Sequence, residues 1–297
     1  MAGPLILDKT LIARREARAA ASPREGADYL LHRAVEELVD RLTMVERSFP
    51  LALAAHGRGP ALAEALAASG KVEEIVALEQ SLEAASRHRG PVFVADEERL
   101  PLAEESLTLY ASVLGLHNAN DLPGALIQAR RALKPDGLFL AVFPGGDTLM
   151  ELRQAFMQAE SEVSGGVSPR VAPFADIRDV GALLQRAGFA LPVVDRERVS
   201  VRYGDPLSLM ADLKAMGASN ALLERSRRPA TRGLILRAAE AYRDLYADDE
   251  GKVPATFELF ALSGWAPHES QQKPAKRGSA DVSLARLLGN DTEADEG

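Results

Sequence analysis

The sequence predicts an α/β fold: a doubly wound, mostly parallel seven-stranded sheet with an N-terminal helical extension and a helical insertion. Two observations carry this prediction. From residue 50 onward, short apolar segments alternate with amphipathic ones, as buried parallel strands alternate with helices. The first apolar segment, residues 51–55, leads into the turn His56-Gly-Arg-Gly59, which stands directly before a helix-like segment.

The chain divides into three parts by pattern. Residues 1–48 are predicted to be a helical extension, because Leu30, Val35, Leu38 and Leu42 recur at helical spacing. Residues 49–268 form the main domain, with a helical insertion at about 204–250. Residues 269–297 have few large apolar side chains and many charges, so we expect a disordered polar tail.

Apolar periodicity and turn signals place the individual elements. Strands are predicted over residues 50–55, 72–78, 91–95, 106–114, 138–143, 191–203 and 256–262. Helices are predicted over residues 60–69, 80–89, 122–133, 147–160, 176–187, 206–216 and 230–247. The segment Lys134-Pro-Asp-Gly137 predicts a tight turn before the fifth strand.

Composition excludes several classes of function. The chain has 297 residues, of which 46% are hydrophobic and 26% charged, as in ordinary globular proteins. A net charge of −8 argues against a nucleic-acid partner. The absence of cysteine excludes disulfides and thiolate metal sites. No apolar run approaches the ~20 residues of a transmembrane segment, and the charged N-terminus lacks a signal-peptide core, so a cytoplasmic location is expected.

The ends of the predicted strands indicate a nucleoside site. In an open parallel sheet, ligands bind beyond the carboxyl ends of the strands, where the strand order reverses. Gly57 and Gly59 end the first strand and allow close approach of the backbone. Glu79 ends the second strand, where a carboxylate can accept hydrogen bonds from ribose hydroxyls. Asp96 ends the third strand, where it can accept one from an adenine amino group.

With these residues in place, the chain resembles the class I S-adenosylmethionine-dependent methyltransferases. The segments Leu100-Pro-Leu102, Leu122-Pro-Gly-Ala-Leu126 and Arg131-Ala-Leu-Lys-Pro-Asp-Gly137 are typical of that group. Further segments resemble the complex I assembly factor 5-like family in its alphaproteobacterial form: Gly145-Gly-Asp-Thr-Leu149, Met216-Gly-Ala-Ser-Asn220, Gly264-Trp-Ala-Pro-His268 and Gln271-Gln-Lys-Pro-Ala-Lys-Arg-Gly278.

The resemblance implies an enzyme that uses S-adenosyl-L-methionine and acts on a protein substrate. The mitochondrial relative is associated with hydroxylating an arginine on an iron–sulfur subunit of complex I, and malonyl-carrier-protein methyltransferases are neighbouring families. The chemistry is therefore expected to be methylation or arginine hydroxylation. The cofactor-binding residues it implies are Gly57, Gly59, Glu79, Asp96, Glu97 and Leu116.

Three positions depart from the pattern of this group. Leu53 stands where the first strand usually has an aspartate, Ala55 where the first glycine of the loop stands, and Thr108 where the fourth strand has its aspartate. The aspartate of the first strand commonly helps to hold the methionine end of the cofactor, and Ala55 lacks the freedom of glycine at positive φ. A weakened grip on the methionine end is expected. A non-catalytic assembly factor with a decayed site is the alternative.

His56 and His117 are the candidate catalytic residues. Because the first and fourth strands are expected to be neighbours, both side chains can reach one pocket. They are interpreted as polar lining, as a base or substrate anchor, or as two ligands of an iron site completed by Asp96 or Glu79. The first interpretation is favoured, and no metal is expected.

Overall fold

A computed structural model describes residues 5–271 of the chain. Residues up to Pro267 belong to one compact unit. Of the second unit, the structure describes residues 268–271, a turn in which the Gln271 amide donates to the His268 carbonyl at 3.2 Å. The predicted disordered tail, residues 269–297, lies outside the described residues from position 272 onward.

The helices and strands alternate along the chain as predicted. The helices are α1 Lys9–Ala21, α2 Tyr29–Thr43, α3 Ala61–Ala68, α4 Leu82–Ala85, α5 Leu122–Ala132, α6 Met150–Ser164, α7 Ile177–Arg186, α8 Pro206–Ala215 and α9 Arg232–Tyr246, with a 3-10 turn at Leu116–Asn118. The strands are β1 Phe49–Ala55, β2 Val72–Glu79, β3 Val92–Val94, β4 Leu107–Val113, β5 Leu133–Gly145, β6 Ala190–Tyr203 and β7 Val253–Trp265.

The strands form one seven-stranded sheet in the order β3-β2-β1-β4-β5-β7-β6. The neighbours from β3 to β5 are parallel, whereas β7 runs antiparallel to both β5 and β6. The predicted doubly wound, mostly parallel sheet is therefore confirmed. The prediction that the first and fourth strands are neighbours is confirmed as well, since Ala52 pairs with Leu109.

Apolar layers cover both faces of the sheet. On one face, α2 buries Leu38 and Leu42 completely, together with residues of α3, α6, α8 and α9. On the other face, Leu126 of α5 and Leu184 of α7 are fully buried against the central strands. At about 25 cal/mol per Å² of apolar surface, this burial is the main force that holds helices to the sheet.

Aspartate and threonine side chains begin many of the helices. Asp8 accepts a hydrogen bond from the Leu11 amide at the start of α1, and Asp121 accepts one from Gly124 at the start of α5. Such caps satisfy amide groups that have no partner within the helix, and each contributes about 1 kcal/mol. The start of α6 differs, because its cap position is Leu149 in the left-handed region and no side chain caps it.

Two local predictions are wrong. The helix predicted over residues 80–89 is only the single turn α4, Leu82–Ala85. The chain bends after this turn, and His88 Nε2 forms a hydrogen bond with Glu79 Oε1 at 2.9 Å. The turn predicted at residues 134–137 lies inside β5 as an irregularity: the register shifts between Leu107 and Leu109 of β4, and Asp136 adopts φ 61°. The turn chemistry there produces a bulge rather than a break.

Within residues 5–271, none of the helices combines the length and the apolar surface that are needed to cross a bilayer. The domain boundaries at residues 48, 204, 250 and 268 stay predictions.

Thr108 links the two central strands. Its Oγ1 accepts a hydrogen bond from the Leu51 amide at 3.0 Å and donates one to the Leu51 carbonyl at 2.8 Å. Where a carboxylate is usual in the group, this chain has a hydroxyl that can donate and accept at once. Thr108 therefore stabilises the β1–β4 pairing that the site is built on.

Replacing Thr108 by valine keeps the shape of the side chain but removes both hydrogen bonds. We expect the free energy of unfolding, measured by urea denaturation, to fall by about 1–3 kcal/mol. Thr43→Val is the control, because Thr43 is exposed and bonds only the nearby Asp40 carbonyl. Equal stability of the two variants would contradict the role given to Thr108.

Candidate functional site

The site lies at the carboxyl edge of the sheet, where β1 and β4 are adjacent. Successive connections leave this point in opposite directions, β1 towards β2 and β4 towards β5. Such a reversal leaves a crevice between neighbouring loops. The predicted site residues of the first four strand ends are brought to this one edge.

The loop after β1 turns through three left-handed residues: His56 at φ 67°, Arg58 at φ 50° and Gly59 at φ 124°. Gly57 is needed for a different reason, since a Cβ there would lie 2.8 Å from the Gly59 carbonyl oxygen. Ala55 is not among the residues at positive φ. The weaker grip on the methionine end stays a prediction. Ala55 stays in β1, paired with Leu78 and Ser112, and the turn begins one residue later.

Glu79 is buried at the end of β2, with 2% of its surface exposed. Its Oε1 accepts hydrogen bonds from the Gly59 amide and from His88 Nε2, each at 2.9 Å. The carboxylate thus fixes the glycine loop and holds a position at the edge of the crevice. His88 is a site residue that sequence reasoning missed, because it was placed within a predicted helix.

A lysine from α1 lies among the acidic residues that follow β3. Lys9 Nζ is 2.5 Å from Glu97 Oε1, 3.1 Å from Asp96 Oδ1 and 3.7 Å from Glu98 Oε1. Burial alone lowers the pKa of Lys9, but the carboxylates of Glu97 and Asp96 outweigh it and raise the pKa above its usual value. Lys9 stays charged and fixes α1 over the strand ends.

His56 is buried beside Glu97. Its side chain is 4% exposed, and its Nε2 lies 3.7 Å from Glu97 Oε2. Burial lowers the pKa of His56, although Glu97 opposes this effect. The ring packs where a side chain at position 115 would otherwise stand, since a Cβ on Gly115 would be 2.4 Å from it. Neither ring nitrogen has a hydrogen-bond partner among the described residues.

His117 follows Leu116 in the turn after β4, and Leu116 is buried beneath it. Burial, followed by the charges of Arg58 and Lys9, lowers the pKa of His117 to about 3, so its ring is neutral at physiological pH. Its Nδ1 is buried without a partner in the described chain. The roles of His56 and His117 in catalysis stay predictions.

The alternative iron site does not assemble within residues 5–271. The one acidic or histidine grouping there with metal-ligand spacing is Asp96, Glu97 and Glu98, and it includes neither His56 nor His117. The ammonium group of Lys9 already lies among those three carboxylates.

A cavity of about 380 Å³ opens beside this cluster, under α1. Its wall is mostly apolar, with Ile12, Leu152, Phe156 and Leu213 among its residues. The polar and charged residues in the wall are Glu16, Arg58, His117, Asn118, Arg170, Ser219 and Asn220. A partly open, mostly apolar cavity with a few charged groups has the size and character of a small-molecule or side-chain pocket.

The missing aspartate of β1 leaves no polar group at that position. Leu53 is fully buried and packs in the layer formed with α5 and α7. β1 itself therefore offers no carboxylate to the amino-acid end of a cofactor.

The residues at this edge fit S-adenosylmethionine. Glu79 presents a buried carboxylate, and the loop carries no side chain at Gly57 and Gly59. Three side chains around them hold buried polar atoms without a partner in the part of the chain described: both nitrogens of His56, Nε of Arg58 and Nδ1 of His117. Buried polar groups are nearly always paired in folded proteins, so these atoms indicate a polar ligand.

Comparison with known proteins agrees with this geometry. The methyltransferase domain family matches residues 54–141. "Arginine-hydroxylase NDUFAF5, mitochondrial" of Danio rerio is 40% identical over 293 residues, which cover 96% of this chain and 90% of that protein. "Malonyl-[acyl-carrier protein] O-methyltransferase" of Methylovorus sp. (strain MP688) is 34% identical, and the match covers 88% of this chain and 90% of that protein.

Solved structures share the fold at low identity. The YcgJ protein of Bacillus subtilis superimposes with a TM-score of 0.53 at 16% identity, covering 78% of this chain and 99% of that chain. The fold, the site and the relatives together lead to one assignment. The chain belongs to the complex I assembly factor 5-like family of class I S-adenosylmethionine-dependent methyltransferases, and it is a methyltransferase-like enzyme whose cofactor is S-adenosylmethionine.

Proposed function

We propose that this enzyme modifies a side chain of a protein partner, an iron–sulfur subunit of respiratory complex I, by methylation or arginine hydroxylation. Methylation takes the methyl group from S-adenosylmethionine and releases a proton, whereas hydroxylation would require dioxygen and a two-electron reductant as co-substrates. The observation that carries the proposal is the cavity of about 380 Å³ beside the cofactor residues, large enough for an extended side chain. The relatives named arginine hydroxylases support a protein substrate. The predicted bacterial cytoplasmic location is kept as part of the proposal.

Different residues of the chain would bind different parts of S-adenosylmethionine. When bound, S-adenosylmethionine supplies an activated methyl group. Glu79 would accept hydrogen bonds from the ribose hydroxyls while it holds the Gly59 amide. Asp96 and Glu97 would face the adenine side, with Leu116 beneath the nucleoside. The apolar wall of the cavity and α1 above it exclude water, and a target atom held in that space reacts faster because its orientation is fixed.

Leu53 favours a second candidate, a non-catalytic assembly factor. The side chain is fully buried where the group has a carboxylate, so methyl-transfer machinery is incomplete in β1. Calorimetric titration with S-adenosylmethionine separates the two candidates. Micromolar binding supports the enzyme, and absence of binding supports the assembly factor.

Glu79→Gln is expected to weaken S-adenosylmethionine binding about tenfold to hundredfold, because hydrogen bonds to a charged group contribute about 1.5–3 kcal/mol. Calorimetric dissociation constants measure this effect. Glu83→Gln is the control, since Glu83 is an exposed carboxylate of the neighbouring turn α4. An unchanged affinity in the Glu79 variant would remove Glu79 from the cofactor site.

Lys9→Met is expected to release α1 from the strand ends, because Glu97 is fully buried and Lys9 is its cationic partner. Limited trypsin digestion should then cut faster at Arg14, Arg15 and Arg18. Lys214→Met is the matched control on the exposed side of α8. Equal digestion rates of the two variants would show that the Lys9 contacts do not hold the helix.

Cells that lack this protein should contain a complex I subunit that is lighter by one CH₂ unit, because methylation replaces a hydrogen atom by a methyl group, or by one oxygen atom. Mass spectrometry of purified complex I subunits measures the difference and identifies the residue. Complementation with the wild-type chain should restore the mass, whereas the Glu79→Gln variant should restore it less. Identical masses in all strains would contradict an enzymatic role on complex I.

A further inference from the structure

One face of α1 carries three residues towards the site. Lys9, Ile12 and Glu16 follow at intervals of three and four, so they share that face. Lys9 is bound by the carboxylates after β3, Ile12 is 5% exposed, and Glu16 lines the cavity. A second contact holds the helix beside the cavity, where Arg15 Nη1 donates to the Ser219 carbonyl at 2.6 Å.

The backbone of α1 also packs closely against the segment after α8. A Cβ on Gly217 would lie 3.3 Å from the Glu16 amide nitrogen. The backbone position of Glu16 is therefore set by contacts of α1 with the segment after α8.

Arg58 reaches the same cavity from the loop after β1. Its left-handed backbone, at φ 50°, directs the side chain towards the segment after α8, where Nη1 donates to the Met216 carbonyl at 2.5 Å. Its Nε is buried and has no hydrogen-bond partner among the described residues. The guanidinium therefore keeps donor capacity at the cavity wall.

Glu16 and Arg58 line one cavity and carry groups of opposite charge. Arg58 acts on Glu16 through its charge, without a hydrogen bond between the two side chains. Burial raises the pKa of Glu16 to about 7. The charge of Arg58 opposes this shift, and the other charged groups that act on Glu16 are Glu97, Glu79 and Lys9. A partly buried carboxyl group without an ionic partner among the described residues, and a guanidinium whose buried Nε has no hydrogen-bond partner there, are costly unless a ligand pairs with them.

The amino-acid end of S-adenosylmethionine carries an ammonium and a carboxylate on one carbon atom. We propose that Glu16 accepts hydrogen bonds from that ammonium and that Arg58 donates to that carboxylate. Charge-assisted bonds of this kind are about twice as strong as neutral ones. This proposal rests on the cofactor site assigned above and deepens it. The carboxylate that Leu53 has removed from β1 is replaced by one on α1.

Two ligands separate the amino-acid end from the nucleoside. S-adenosylhomocysteine has both parts, whereas 5′-methylthioadenosine has the nucleoside and sulfur but no amino acid. Calorimetry on the full chain should show Glu16→Gln and Arg58→Gln binding S-adenosylhomocysteine about tenfold to hundredfold more weakly. The affinity of both variants for 5′-methylthioadenosine should match that of the wild type, which also shows that the variants are folded.

The pH dependence gives a second readout. An ammonium beside Glu16 favours the carboxylate, so binding of S-adenosylhomocysteine must expel the proton that Glu16 carries below about pH 7. Its affinity should therefore fall as the pH drops below 7, up to about tenfold per pH unit. Glu16→Gln should abolish this dependence, and 5′-methylthioadenosine should not show it.

Glu25→Gln, an exposed carboxylate beyond the end of α1, is the control and should bind both ligands as the wild type does. Equal losses for both ligands, or no loss for S-adenosylhomocysteine, would overturn the assignment of Glu16 and Arg58 while leaving the cofactor site intact. If the wild type binds neither ligand, the cofactor site and this proposal are both wrong.

Discussion

The site depends on one constraint of the fold, the parallel run of strands from β3 to β5. Parallel strands end at the same edge, so residues far apart in sequence meet there without any long loop. Gly59 and Glu79 are 20 residues apart and share a hydrogen bond of 2.9 Å for this reason. The antiparallel β7 does not disturb that edge, because it lies beyond β5.

The site also depends on the position of the N-terminal helix α1, which the ion pair of Lys9 and Glu97 holds beside the strand ends. Lys9 joins α1 to Glu97 across 88 residues of sequence. Glu97 is completely buried, and a buried carboxylate without a cationic partner would destabilise the fold, so the ion pair with Lys9 offsets that cost. Asp96 Oδ1 also lies 3.1 Å from Lys9 Nζ. If Asp96 faces the adenine as proposed, the cofactor and α1 share this carboxylate cluster.

The sequence predicts the central strands β1 and β4 and the second half of β5 well because they are nearly continuous apolar runs. Strands β2 and β6 carry charged residues among their apolar ones. Gly57, Gly59 and Glu79 could be placed at strand ends because each comes after an apolar run. Lys9, Glu16 and His88 could not, because nothing near them in sequence shows what they contact. His88 also ended a helix-like segment, and its bond to Glu79 overrides that local preference.

Ala55 shows how a motif can mislead by one position. Alignment with the usual glycine loop places the positive φ at Ala55, where a side chain costs about 1–2 kcal/mol. The chain instead keeps Ala55 in the strand and lets His56 and Arg58 adopt the left-handed conformation. That shift changes what the loop can do, since it directs two polar side chains inward where the usual loop has small residues.

The loop after β1 combines positive-φ residues with buried nitrogen atoms that have no hydrogen-bond partner among the described residues. Left-handed residues at His56 and Arg58, together with their unpartnered buried nitrogens, destabilise the ligand-free protein. A ligand that pairs with those atoms binds the folded chain and not the unfolded one, so its binding increases the free energy of unfolding. The loop after β1 and helix α1 therefore act together. The loop places buried nitrogen atoms of His56 and Arg58 at the site, and α1 forms one wall of the cavity beside them.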